Sequence, residues 1–81
     1  MSELSRLRWL CRRGMKELDV VVTAYLEQHY ASASRAEQAQ FRKLLEMADP
    51  DLHGLLLGRE PAGDAETRHL LERLRNLSKT Q

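Results

Sequence analysis

Three histidines, one cysteine and two closely spaced aspartates are the residues of this 81-residue chain most often used in metal sites or catalysis. His29, His53 and His69 are too far apart in sequence for a local metal-binding motif, and one cysteine adds only one ligand. Asp49 and Asp51 flank a proline, which is typical of a helix start and not of a catalytic pair. No nucleophile elbow, Walker loop or dinucleotide-binding glycine pattern is present. The sequence therefore predicts a protein that is not an enzyme and binds no metal and no cofactor tightly.

Residues 9–19 are the remaining candidate for a functional surface, because they contain the only tryptophan, the only cysteine and the densest positive charge. Gly14 separates two helical patterns there, and it permits either a left-handed helix end or the close approach of another chain. Arg13 and Glu17 can form an exposed ion pair across this junction, and such pairs contribute little to stability. On physical grounds alone, this helix-junction interpretation is favoured over a binding surface.

The same residues match a known motif. Arg13, Gly14 and Glu17 reproduce the Arg-Gly-x-x-Glu pattern of the FAD assembly factors, or flavinylation factors, of succinate dehydrogenase and fumarate reductase, the SdhE family in bacteria. All of residues 9–19 resemble the N-terminal signature of that family. A five-residue pattern alone would recur by chance, so the assignment needs a second matching block.

That second block lies at the expected distance. Residues 41–46, followed by 49–52, resemble the second signature of the family, and residues 61–66 resemble the start of its last helix. The resemblance therefore covers nearly the whole chain, and the two blocks together are specific. One departure is that His53 and Leu55 stand where the family often has aromatic residues.

The resemblance implies a chaperone-like function. It implies binding to the flavoprotein subunit of succinate dehydrogenase, with that of fumarate reductase as a second client, and covalent attachment of FAD to a client histidine. Because the chain lacks a catalytic constellation, its role would be to hold histidine and flavin in reactive geometry. Gly14 would permit close approach, Glu17 would offer a carboxylate and Arg13 a planar donor fork. The expected client-binding residues are Arg13, Gly14, Glu17, Arg12, Trp9 and Asp19.

The composition is that of one small domain spanning residues 1–81, in which residues 78–81 are expected to form a frayed polar tail. Hydrophobic residues make up 42% and charged residues 31%, which are ordinary proportions for a folded domain. A single cysteine forms no internal disulfide, which favours a reducing compartment, so we expect a cytoplasmic monomer. No apolar run approaches the roughly 18 residues of a membrane span, so we expect no membrane insertion.

Two alternatives stay open, namely a small nucleic-acid-binding helical module and an antitoxin-like interaction module. Trp9 and a cluster of basic residues motivate the first alternative. Against it, the net charge of +1 provides no global attraction for phosphates, and Glu66 and Glu72 interrupt the basic residues of the last helix. We therefore expect no nucleic-acid partner. The basic cluster consists of Arg6, Arg8, Arg12, Arg13 and Lys16.

Apolar residues recur at three- and four-residue spacing along the whole chain, which predicts an all-α domain of five short helices. The first helix carries Leu4, Leu7 and Cys11 on one stripe, which Trp9 and Leu10 widen. Cys11 is expected to be a small buried hydrophobic residue. The second helix is expected to run from about residue 16 to residue 29 or 30.

Capping residues predict where the third and fourth helices start. Ser34 with Glu37 forms a capping box for a third helix, which continues to about residue 47 with Ala48 on its inner face. Asp49 is expected to cap a fourth helix that has the following proline at its first position.

Residues 58–63 are expected to form a loop, after which Asp64 caps the last helix. The apolar stripes of the five helices together predict the core. It should include Leu7, Leu18, Val21, Val22, Leu26, Phe41, Leu44, Leu45, Leu52, Leu70 and Leu74.

Overall fold

The structure is a computed structural model, and it describes residues 2–59 and 63–79. Within these ranges the regular structure is helical and contains no strand, which confirms the all-α prediction of a single small domain. The elements are α1 (Glu3–Leu10), α2 (Lys16–Gln28), a 3₁₀ turn (Tyr30–Ser32), α3 (Arg35–Leu45), α4 (Asp49–Leu56) and α5 (Ala65–Lys79).

Ser2 is the N-cap residue of helix α1, and its hydroxyl accepts the backbone N–H of Ser5 at 3.2 Å. Leu7 and Cys11 are buried as predicted, but Leu4 is 50% and Trp9 67% exposed. The wide apolar stripe expected on this helix is therefore wrong. A helix of only eight residues presents two turns to α2 and α3, and these cover only a narrow face.

Helix α2 is the central element, because its apolar side faces both α1 and α5. Its bounds agree with the sequence prediction, and the β-branched residues 20–23 are helical. Tyr25 is fully buried, and its ring centroid lies 4.5 Å from that of Phe41 on α3. Burial of one whole stripe against two neighbours therefore outweighs the local strand preference of the valines.

Helix α3 begins as predicted, with the Ser34 hydroxyl accepting the Glu37 N–H at 3.1 Å. The Glu37 carboxylate does not complete the capping box, because it accepts a hydrogen bond from the Tyr25 hydroxyl and lies 3.5 Å from Arg73 Nε. The helix ends at Leu45. Ala48 is exposed, so its predicted inner position is wrong, because the helical stripe has ended before it.

Helix α4 differs from its prediction at the start. Ala48 is its N-cap residue and makes no side-chain cap, and Asp49 is already helical, so Asp49 does not cap this helix. Pro50 is therefore the second helical residue and not the first, as was predicted. At the other end, Gly58 has φ +79° and donates to Leu55 O, while Arg59 N–H donates to Gly54 O at 2.9 Å. This pair of bonds is a Schellman motif, which requires the left-handed conformation that glycine adopts without strain.

Helix α5 begins with the predicted cap, in which Asp64 accepts the Thr67 N–H at 2.8 Å. It continues through Lys79, so Ser78 and Lys79 are helical although the sequence placed them in a polar tail. Residues 80 and 81, and residues 60–62 of the predicted loop, lie outside the described residues. The guanidinium of Arg75 donates to Leu56 O at 2.7 Å and to Leu55 O at 2.9 Å, which joins α5 to the end of α4.

Every residue predicted for the core is buried. The core also includes Cys11, which was predicted to be buried, and Tyr25, Leu55, Leu71 and Leu77, which lie on the apolar stripes of their helices. Ala24 and Tyr30 are buried as well, although the sequence did not indicate them. Within the described ranges, no helix is long and apolar enough to cross a membrane.

Candidate functional site

The Arg13 side chain points into the protein. Only 8% of it is exposed, and its Nε donates to Asp49 Oδ1 at 2.7 Å. Its other nitrogens donate to Leu45 O at 2.7 Å and to Met47 O. These carbonyls lie at and beyond the end of α3, where a helix leaves its last acceptors without intrahelical donors. The predicted ion pair of Arg13 with Glu17 is thus replaced by a pair with Asp49, and the donor fork holds the end of α3.

Asp49 completes this connection from the other side. Its Oδ2 accepts the backbone N–H of Met15 at 3.1 Å, immediately before α2. Desolvation favours a higher pKa for the Asp49 carboxyl, but the hydrogen bonds from Met15 and Arg13 outweigh it and lower the pKa below its ordinary value. The carboxylate therefore fixes the α1–α2 junction against the first turn of α4.

Gly14 lies between these two bonded residues and is exposed on its outer side. Its φ is not in the left-handed region, so the first of its two predicted uses, a left-handed helix end, is wrong. A Cβ at this position would lie 3.1 Å from Asp49 Oδ2, which is a tight contact. Gly14 therefore allows a close approach, and the group that approaches within this chain is the Asp49 carboxylate.

Glu17 is the acid of this region that faces solvent. Its side chain is 83% exposed in the first turn of α2, and its Oε2 lies 3.5 Å from His53 Nε2 on α4. His53 therefore lies directly beside Glu17. Asp19 is half-buried and accepts the Thr23 hydroxyl at 3.4 Å along its own helix, so it is less available than Glu17.

Trp9 and Arg12 form a second exposed feature. The Arg12 guanidinium carbon lies 5.8 Å from the centroid of the Trp9 ring, in cation–π range. Cys11 between them is 1% exposed, which confirms its prediction as a buried hydrophobic residue. Burial, with a smaller contribution from the Asp19 charge, raises the pKa of its thiol to about 11. The thiol therefore stays protonated near neutral pH and is a poor nucleophile.

Acidic side chains lie among the basic residues of the groove between α1 and α3. In the groove between α1 and α3, Arg6, Arg42 and Lys43 alternate with Glu3 and Glu46. Arg42 Nη1 lies 3.3 Å from Glu3 Oε1. This alternation gives no support to the nucleic-acid alternative, which depends on uncompensated positive charge.

The structure brings Arg13, Gly14 and Glu17 together with two residues that sequence reasoning did not assign to the site. Asp49 was interpreted as a helix cap, and His53 was noted only as a departure from the family pattern. Their contacts cross from α4 to the α1–α2 junction, so no local spacing rule could have identified them. Among the described residues, no group of three metal-ligating side chains lies close enough to hold an ion.

Comparisons with known proteins identify the family. The model of the Sdh5 family, described as flavinator of succinate dehydrogenase, matches residues 5–78. A Pseudomonas aeruginosa protein named FAD assembly factor SdhE is 41% identical over 70 residues, covering 86% of this chain and 83% of the relative. A Vibrio vulnificus (strain CMCP6) protein of the same name is 40% identical over 82 residues, covering 99% of this chain and 95% of the relative. An Idiomarina loihiensis protein of the same name is 38% identical over 71 residues, covering 88% of this chain and 79% of the relative.

Proposed function

The chain belongs to the Sdh5 family, the flavinators of succinate dehydrogenase, and we propose that it binds the flavoprotein subunit of that enzyme and promotes covalent attachment of FAD. The observation that carries the proposal is the exposed Glu17 carboxylate beside Gly14, at a junction that the Arg13–Asp49 pair holds in place. A surface that is already ordered loses little conformational entropy when a partner binds. The flavoprotein subunit of fumarate reductase is the second client that we propose.

The chemistry itself belongs to the client. A bond forms between an imidazole nitrogen of the client histidine and the 8α-carbon of the flavin, while a C–H bond of that methyl group and the imidazole N–H break. The two electrons released reduce the same flavin, so this step needs no further oxidant. The described part of this chain has no group arranged to take part, so the proposed role is to orient the client.

The residues of the site divide into two roles. Arg13 and Asp49 are positioning residues, because their hydrogen-bonding atoms are engaged inside the chain. Gly14 and Glu17 lie on the surface and form the proposed centre of the contact. Glu17 offers a carboxylate that can accept charge-assisted hydrogen bonds from client arginine, lysine or backbone N–H groups.

Three further residues extend the proposed contact, namely Trp9, Arg12 and Asp19. Trp9 and Arg12 supply an exposed aromatic ring and a cation, two side chains that often dominate binding energy at interfaces. Asp19 belongs to the proposed set, although its half-buried carboxylate already accepts the Thr23 hydroxyl.

The test is covalent flavin on the client. The recombinant flavoprotein subunit of succinate dehydrogenase is incubated with FAD, with and without this protein, and flavin fluorescence is read on a denaturing gel. We expect covalent fluorescence to increase strongly when the protein is present, and a complex of the two chains to co-elute in gel filtration. Equal fluorescence in both reactions, with no complex, would disprove the proposal.

A further inference from the structure

Three helices meet in a groove next to Glu17, which we call the α2–α4–α5 groove. The described residues lining it are Glu17, Leu18, Val21, His53, Leu56, Leu57, Leu74, Arg75 and Ser78, and its volume is about 250 Å³. Val20 lies beside it, in a shallower depression that shares Glu17, Val21 and Ser78. The floor is formed by leucine and valine side chains, so the groove is apolar at its base.

The rim of this groove exposes apolar surface to solvent. Leu57 is 53% exposed, and Val20 is 37% exposed. In the described part of the chain, the other large hydrophobic residues with comparable exposure are Leu4 and Trp9, both on α1. Of these four residues, Leu57 lines the groove and Val20 lines the adjoining depression. Clustered exposed apolar residues are typical of interaction sites.

Leu57 is held rigidly at this rim. It is the C-cap residue directly after α4, and Gly58 closes the Schellman motif immediately after it. The Arg75 guanidinium binds the carbonyls of Leu55 and Leu56 immediately before it. A side chain on so constrained a backbone is pre-organised for contact, and binding through it loses little entropy.

The charges at the groove indicate what an occupant should carry. Glu17 Oε2 lies 3.5 Å from His53 Nε2, and the two bonded nitrogens of Arg75 are directed to backbone carbonyls. Lys16 borders only the shallower depression beside Val20. The mouth of the groove therefore presents a carboxylate above an apolar floor, which is complementary to an apolar side chain next to a cation.

We propose that the α2–α4–α5 groove receives an apolar side chain of the flavoprotein client, with a neighbouring client arginine or lysine paired to Glu17. The inference rests on the proposed function and extends its contact surface beyond the Arg-Gly-x-x-Glu motif to Val20, His53 and Leu57. Pockets for whole small-molecule ligands are roughly 300–1,000 Å³ and more enclosed. A groove of about 250 Å³ suits a single side chain.

The first test compares Leu57→Lys with Leu4→Lys. The two leucines are almost equally exposed, at 53% and 50%, but Leu4 lies on α1 away from the groove, so it is a matched control. Affinity for the FAD-free flavoprotein subunit of succinate dehydrogenase is measured by calorimetry, and folding by thermal melting. We expect Leu57→Lys to weaken binding by roughly tenfold or more. Leu4→Lys should weaken it by less than about twofold. Val20→Lys should behave like Leu57→Lys.

The second test concerns charge. Binding of the wild-type protein should weaken as salt rises from about 50 to about 500 mM, because an exposed ion pair is screened. Glu17→Gln should bind more weakly at low salt and lose most of this dependence. An unchanged salt dependence in Glu17→Gln would overturn the cation half of the proposal.

The outcomes separate the two proposals. If the wild-type protein neither binds the flavoprotein subunit nor promotes flavinylation, the proposed function fails and the groove proposal fails with it. If the wild-type protein binds, but Leu57→Lys and Val20→Lys bind as tightly as Leu4→Lys, only the groove proposal fails. Sedimentation of the protein alone tests a second copy as occupant. A dimer that Leu57→Lys abolishes while client affinity is unchanged would overturn the proposal in favour of self-association.

Discussion

Arg13 and Asp49, which are 36 positions apart in the sequence, form a partly buried ion pair with 2.7 Å between Nε and Oδ1. This pair joins the α1–α2 junction to the start of α4. The same guanidinium binds two carbonyls near the end of α3, and the same carboxylate binds the N–H of Met15. The arginine of the motif thus determines where its glycine and glutamate are presented.

Removing Arg13 should reduce stability and flavinylation together. In Arg13→Ala, the carbonyls of Leu45 and Met47 lose their donors, which should cost about 1–3 kcal/mol. In a domain of this size, each kcal/mol of lost unfolding free energy lowers the Tm by about 4–8 °C. Thermal melting and covalent flavin on the client measure the two effects. Arg12→Ala, at the exposed neighbouring arginine, is the control for stability and should change the Tm by at most about 4 °C. An Arg13→Ala protein with an unchanged Tm would contradict the positioning role.

Changing Glu17 should separate function from folding. Its side chain is 83% exposed, and an acid in the first helical turn contributes about 0.3–1 kcal/mol. We therefore expect Glu17→Ala to melt within a few degrees of the wild-type protein and yet to support much less flavinylation. Glu66→Ala makes the same change in the first turn of α5 and should leave flavinylation intact. If Glu17→Ala supports full flavinylation, the glutamate has no part in the mechanism.

Gly14 can be tested against a second exposed glycine. A Cβ at Gly14 would approach Asp49 Oδ2 to 3.1 Å, whereas a Cβ at Gly63 would meet nothing within 4 Å. We expect Gly14→Ala to lower the Tm modestly, because the carboxylate must shift away from Met15 N–H. Gly14→Arg should also strongly reduce flavinylation by blocking the approach of the client. Gly63→Ala and Gly63→Arg should change neither the Tm nor the flavinylation of the client. Equal effects of the substitutions at both glycines would refute a special requirement for glycine at position 14.

The Asp49 carboxyl should contribute to acid unfolding. Its pKa is lowered in the folded protein from an ordinary value of 3.8, so its contribution is present above that value and is lost as the pH falls through the folded pKa. Urea unfolding between pH 7 and pH 2 measures this dependence. Asp49→Asn should be less stable than the wild-type protein at pH 7, and the difference should shrink below about pH 4.

The lowered pKa of Asp64 requires a control, because hydrogen bonds from Thr67 stabilise its carboxylate in the same pH range. Asp64→Asn keeps a capping side chain, so Asp49→Asn is best compared in the Asp64→Asn background. The two proteins compared are then Asp64→Asn alone and Asp64→Asn combined with Asp49→Asn. If their difference in stability stays constant from pH 7 to pH 2, the Asp49 charge is not involved.

The amino-acid sequence by itself determined the helices and most of the core. The periodic apolar residues of α2, and the caps formed by Ser34 and Asp64, act within three or four positions along the chain. Such interactions depend only on local spacing, because helix geometry brings those positions together. Even there, the buried stripes of long helices were predicted better than the two-turn α1, where Leu4 and Trp9 are exposed.

Tertiary structure alone decided the chemistry of the candidate site. Arg13 has acidic neighbours in sequence at Glu17 and Asp19, yet it pairs with Asp49. Likewise, Glu17 faces His53 because the first turn of α2 passes α4. The motif therefore predicts which residues form the candidate site, but not which of them support the surface and which are presented on it. That division depends on the packing of α1, α2 and α4, and a charged side chain pairs with the group that packing brings near.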